Sequence, residues 1–250
     1  MEAIAITLIV GILILGACVF AGVKSVRQKG HALEATEHGT GLIVNSLFTL
    51  LGLLLAFTLS ASASRLDNRR NLSINEANAI GTSVLRLNLL PENGRSELQG
   101  LFKTYIEDRL KFNAGLAGRA NLEEARAETD TLQKKIWEKA IQHADTENRK
   151  LLLPVLNEVF DLASSRNILT ETKTPLAIMV LLSCLAMLCS FLVGRSIAHH
   201  GRDGQAYASV FILAITAAMV LVIDLDSART GLIRIDEVDS LLRSTLRSLE

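Results

Sequence analysis

Four long stretches of this sequence are apolar on every side: Ala3–Val23, Gly41 to about Ala61, Pro175–Gly194, and Gln205 to about Ile223. None has an Asp, Glu, Lys or Arg inside it. The hydrocarbon core of a bilayer is about 30 Å thick and takes roughly 20 apolar residues as a helix, a form that satisfies its own peptide groups in lipid. Each stretch has that length and predicts a transmembrane helix. As soluble helices all four would need apolar partners on every face, and the chain is too short to wrap them in an outer layer. The first is read as a retained helix and not a secretion signal. Glu2 stands where a basic leader belongs, and the apolar run exceeds the roughly 7 to 15 residues of a signal core.

Between the second and third stretches, from about Arg65 to Thr174, the pattern changes to charged positions interrupted by apolar ones at helical spacing. Arg65–Leu90 continues the second helix into water until Pro91-Glu92-Asn93-Gly94 turns the chain. A helix over Ser96 to about Asn113 follows, with Leu98, Leu101, Phe102, Tyr105 and Ile106 on one face. The next is capped by Asn121 and runs to about Ala144, its stripe formed by Leu122, Ala125, Thr129, Leu132, Ile136 and Ala140. Another runs from Glu147 toward Thr170, with Pro154 as a kink or an early-turn residue. Thr174-Pro175 then opens the third membrane helix, where proline costs little. The expected fold is all-α: a polytopic membrane protein with two plus two transmembrane helices. It divides into a first helix pair (1–64), a helical extramembrane section (65–173), a second helix pair (174–226) and a C-terminal tail (227–250).

Composition adds little to this, because 49% apolar residues is ordinary and only their grouping is unusual. Formal net charge is zero, which gives no reason to expect a nucleic-acid partner. Cys18, Cys184 and Cys189 all fall inside predicted membrane helices and suggest neither a disulfide framework nor a metal site. The short connections, Lys24–Thr40 and Arg195–Gly204, are basic through Lys24, Arg27, Lys29, Arg195 and Arg202. Arg65, Arg69, Arg70, Arg166, Lys173, Arg229 and Arg234 flank the other ends of the helices, so charge asymmetry leaves the orientation open.

The second membrane helix carries two adjacent stripes at four-residue intervals. Asn45, Thr49, Leu53, Phe57, Ala61 and Arg65 run from polar through apolar to cationic. Gly52, Ala56, Ser60 and Ser64 are small and would let another helix approach closely, a helix-packing stripe. The first stripe suits a pore wall with a dewetting constriction. Spacing alone favours the plainer reading, in which both stripes are buried packing surface inside a bundle.

Other candidate groups are fewer. Asp224 and Asp226 stand just past the fourth membrane helix, short of the oxygen ligands a cation needs, and are read as a salt-bridged exit segment. Glu76 and Asn78 either line a vestibule or bind an effector, or else cap and pair with helices of the middle section. His199 and His200 are adjacent and do not share a helix face. No phosphate loop, nucleophile elbow or zinc signature occurs, so the chain is read as a non-enzyme without cofactor or metal.

The run Phe57–Arg70, FTLSASASRLDNRR, is similar to the second-helix exit of bestrophins, where an aromatic precedes an arginine by eight residues and a charged helix continues. The longer segment LLGLLLAFTLSASASRLDNRRNLSINEANAIGTSVLRLNLLP resembles the bacterial bestrophin-like membrane proteins. So does IDLDSARTGLIRID (Ile223–Asp236), with its DLD element followed by GLIR. Bestrophins are pentameric anion channels whose second helix forms a hydrophobic neck and whose termini and helical extension are cytoplasmic. The resemblance therefore implies a homo-oligomer, a pentamer, in the bacterial inner membrane, in contact with lipid and conducting small inorganic ions, anions foremost. Asn45, Thr49, Leu53 and Phe57 would line the pore, with Thr49, Leu53 and Phe57 at the neck. Arg65, Arg69, Arg70, Asp224 and Asp226 would supply charges at the pore exit or membrane face. Thr49 departs from the apolar residue of the neck, and Leu66-Asp67 replaces an aromatic pair after the arginine. The rival expectation is a membrane-anchored sensor or scaffold whose helical middle section binds a ligand or partner. An enzyme of lipid or wall metabolism has no supporting constellation.

Overall fold

The computed structural model describes residues 2–29, 37–118, 122–198, 201–227 and 237–249. Among these residues the elements are helical throughout: α1 (Glu2–Lys29), α2 (Glu37–Arg86), a 3-10 turn (Leu87–Leu89), α3 (Glu92–Gly118), α4 (Leu122–His143), α5 (Thr146–Glu171), α6 (Leu176–Ile197), α7 (Gly201–Asp226) and α8 (Glu237–Arg247). Helices α1, α2, α6 and α7 are long and apolar enough to cross a membrane. At 1.5 Å per residue the 50 residues of α2 extend about 75 Å, more than twice a bilayer core. Its charge-free part ends at Ser64, so the length from Arg65 onward lies outside hydrocarbon. The membrane helices also outrun their apolar stretches, because nothing requires a helix to stop where the lipid does: α1 continues to Lys29, and α6 and α7 shorten the connection between them.

By internal contact the chain falls into two compact units, Met1–Ser64 with Lys173–Ser227, and Arg65–Thr172 with Ala228–Glu250. In the membrane unit α1 packs on α6 and α7, which also pack on each other. Leu15, Leu51, Leu55, Leu182, Leu185, Ala186 and Cys189 form its core, beside Phe48 and Phe211 in an edge-to-face pair at 5.6 Å. Lipid tails are as apolar as leucine, so closeness of fit decides which helices associate. The closest fit lies between α1 and α6. A Cβ added to Gly22 would overlap the Phe191 carbonyl oxygen, and one added to Gly194 would overlap that of Val19. The α6 entry is fixed by Asp226, which accepts a hydrogen bond from the Thr174 N–H at 2.9 Å and another from its hydroxyl.

The extramembrane unit buries one face of each of its helices. Ile80 and Leu87 follow from the α2 end, Leu98, Phe102, Tyr105 and Ile106 from α3, Ile136 and Ala140 from α4, Leu152, Leu156 and Val159 from α5. Each large side chain removed from water contributes about 1.5–3 kcal/mol. Asp145 caps α5 by accepting from the Asn148 N–H at 2.8 Å, and Pro154 lies inside the helix, which continues past it. The C-terminal tail is more structured than its sequence reading: α8 forms there and buries Leu242 against this core, with Leu246 and Leu249 alongside. Asn121, His199, His200, Arg229 and Arg234 lie outside the described residues, as do the side chains of Leu122, Ala125 and Arg202.

Candidate functional site

Within the membrane unit, α2 turns Leu51, Leu55, Thr58 and Ser62 inward. Ser62 Oγ lies 3.4 Å from Thr174 Oγ1. The candidate pore edge falls on the other side: Asn45, Thr49, Leu53 and Phe57 are all exposed in the single chain, Leu53 by 50% and Phe57 by 64%. Thr49 Oγ donates to the Asn45 carbonyl oxygen at 2.9 Å, so its only donor is spent on the helix one turn back.

The small-residue stripe shares this open side. Gly52, Ala56, Ser60 and Ser64 are exposed, and a Cβ on Gly52 would meet nothing within 4 Å. Close helix approach inside the chain occurs instead at Gly22 and Gly194, which sequence reading missed although both are isolated glycines in apolar helices.

Of the candidate membrane-face charges, Arg69 and Asp226 are held by specific partners. Arg69 is 5% exposed and donates to the carbonyl oxygens of Leu169, at 3.0 Å, and Thr172, the last carbonyls of α5. This places a cation where a helix C-terminus concentrates partial negative charge. Asp224 is 2% exposed, Asp226 anchors Thr174, Arg65 is half-buried, and Arg70 is exposed.

A second polar constellation occupies the interior of the extramembrane unit. Glu76 on α2 is 1% exposed, and its Oε1 lies 2.6 Å from Arg109 Nε of α3. Its other oxygen accepts from Arg166 of α5, which also donates to Asn113 Oδ1. Asn113 in turn donates to Asp239 of α8 at 2.7 Å. The Arg109 guanidinium stands 5.1 Å from the Phe112 ring centre, an added attraction for buried positive charge. Burial alone would push the Glu76 carboxyl up, but Arg109 and Arg166 together outweigh it and hold the group below its ordinary 4.5. Burial pushes the neighbouring Tyr105 hydroxyl up to about 12. Of the two alternatives for Glu76 and Asn78, pairing with helices holds for Glu76, while Asn78 is exposed. Arg109 and Asn113 were legible in principle: they continue the Phe102, Tyr105, Ile106 face of α3 at four-residue steps.

Cys18, Cys184 and Cys189 are free thiols. Among the described residues no group of three or more His, Cys, Asp or Glu is placed to hold a metal ion.

The architecture has close counterparts among solved structures. A bacterial bestrophin homologue from Klebsiella pneumoniae superposes with a TM-score of 0.73 at 16% identity, over 98% of this chain and 97% of that chain. A point variant of a bestrophin homologue from the same organism gives 0.72 at 17% identity, over 99% and 97%. A crystal structure of a membrane-protein point variant gives 0.73 at 17%, over 100% and 98%. No curated protein matches the sequence. The model of the Bestrophin-like domain matches residues 10–239, from within α1 to the start of α8, and on that match this integral membrane chain belongs to the bestrophin-like family.

Proposed function

We infer that the protein is a homo-oligomeric ion channel, a pentamer selective for small anions, whose conduit is lined by α2 with its narrowest part at Thr49, Leu53 and Phe57. The observation that carries this is the open edge of α2. Three of the four membrane-unit helices bury their best-fitting faces against one another, yet the stripe from Asn45 to Phe57 is left uncovered by its own chain. A helix edge that is polar at one end and apolar midway would be wasted on lipid but suits a shared aqueous axis, with the apolar turn as the dewetting constriction. The likeness to bestrophins supports the subunit number, the ion class and a cytoplasmic side for the extramembrane unit and both termini.

Reconstitution in planar bilayers tests the gate. Leu53→Ala and Phe57→Ala should each raise unitary conductance relative to wild type, because both shorten the stretch that water leaves unfilled. Currents unaltered by both substitutions in an active channel would reject the constriction. A cysteine at exposed Gln142, probed on intact cells with an impermeant reagent, should stay unlabelled if the unit is cytoplasmic. Asn113 cannot serve for this, since it is 1% exposed and bonded to Arg166 and Asp239.

A further inference from the structure

The surface of the extramembrane unit is charged on most helices, whereas one edge of α2, headed by exposed Asp67, carries no exposed charge past Arg70. Exposed turns of α4 carry Lys134, Lys135 and Glu138, and those of α5 carry Glu158 and Asp161. On α2 the exposed positions past Arg70 are Asn71, Asn75, Asn78, Thr82 and Leu85, with Asn68 one turn earlier. Steps of three and four residues put them on one side of the helix. The opposite side is packed through Ser73, Glu76, Ala77, Ile80 and Ser83.

A face that meets only bulk water ordinarily carries Lys and Glu, which solvate it and favour helix. Asparagine does neither well, because its amide competes for backbone hydrogen bonds. Four of them on one exposed edge therefore suit surroundings other than open solvent. Among the described residues, none of these four side-chain amides is bonded within the chain. An amide presents donors and an acceptor without net charge, so it can replace part of the water around an ion of either sign without trapping it.

We propose that Asn68, Asn71, Asn75 and Asn78 line the extramembrane length of the α2 conduit as a neutral hydrogen-bonding wall, along which small monovalent ions pass with part of their water replaced. This rests on the pore-lining reading of α2 and extends it along the same helix. Charge discrimination is then left to other positions, and the wall admits either sign.

Two measurements on the assembled full-length protein, with Cys18, Cys184 and Cys189 replaced by Ala, keep the proposal distinct from the reading beneath it. The first needs no current. Asn75→Cys should react with a small methanethiosulfonate and resist a bulky polyethylene-glycol maleimide, while Gln142→Cys on the exposed face of α4 takes both. Equal reaction of the two positions with both reagents overturns the proposal. The second is the reversal potential in a KCl gradient. Asn75→Asp with Asn78→Asp, and Asn75→Lys with Asn78→Lys, should move the anion-to-cation permeability ratio in opposite directions by roughly threefold or more. Gln142→Asp and Gln142→Lys should leave it in place. An unmoved ratio in a conducting channel also overturns the proposal. Wild-type protein that sorts the reagents by size but carries no current overturns the channel reading instead.

Discussion

Glu76 holds the guanidiniums of Arg109 and Arg166 in the core, so its removal should be far costlier than the loss of a surface ion pair. Glu76→Gln removes the buried carboxylate that Arg109 and Arg166 share, and the extramembrane unit should lose about 3–5 kcal/mol. Trp137 is the single tryptophan of the chain and lies 6.4 Å from Phe160 within this unit, so its fluorescence during denaturant unfolding reads the loss directly. Acid should reproduce part of it. The Glu76 carboxyl sits below its ordinary 4.5, so its stabilisation is complete above that pH and is lost as pH falls from about 4.5 through the depressed value. The unfolding midpoint of wild type should therefore drop below pH 4.5 more steeply than that of Glu76→Gln. An equal decline in both would show that other carboxylates govern acid sensitivity. The sequence offered Glu76 as a candidate without its partners, because Arg109 and Arg166 lie 33 and 90 positions away and look like ordinary surface cations until the helix faces are superimposed.

Helices were the most legible feature of the chain, for a physical reason: a bilayer admits no unpaired peptide group, so length and apolarity alone mark a spanning segment. The faces of α3, α4 and α5 were legible too, since water on one side enforces helical periodicity. Their ends were less so. Asp145 was passed over as the α5 cap in favour of a start at Glu147, and α8 was left inside an unassigned tail although Leu241, Leu242 and Leu246 mark a face. In lipid the periodicity vanishes, and with it any sign of which helices touch. That is why the α2 small-residue stripe drew notice while the tight crossing sits at Gly22 and Gly194. Gly22→Val or Gly194→Val should force α1 and α6 apart and destabilise the membrane unit by about 1–3 kcal/mol. The heated detergent-solubilised protein should then lose its native size-exclusion peak at a lower temperature. Gly16→Val is the control, because a Cβ there meets nothing within 4 Å and the peak should persist as in wild type.

The proposed conduit could not be seen in the sequence as a conduit, because the groups that would complete it would belong to other copies of the same chain. What the sequence carries is one edge, Asn45 to Phe57, and a family resemblance that supplies the symmetry. Orientation was undetermined for a different reason: arginines and lysines flank the membrane helices at both ends, so no charge imbalance remains to be read. The proposed assembly has a direct physical signature. Purified in detergent, the protein should scatter as about five times its 27.2 kDa chain mass and image as a fivefold ring, whereas a dimer would bring together too few α2 edges to enclose a conduit. The crossing of α1 and α6 also bears on how such a ring could open. Where the Val19 and Phe191 carbonyls fit against opposing glycines, the two backbones mesh like teeth, and neither can turn or slide without first parting from the other. In the proposed ring that pair would be a fixed stave of each subunit, so a movement that widened or shut the passage would have to be made by something other than the joint between them.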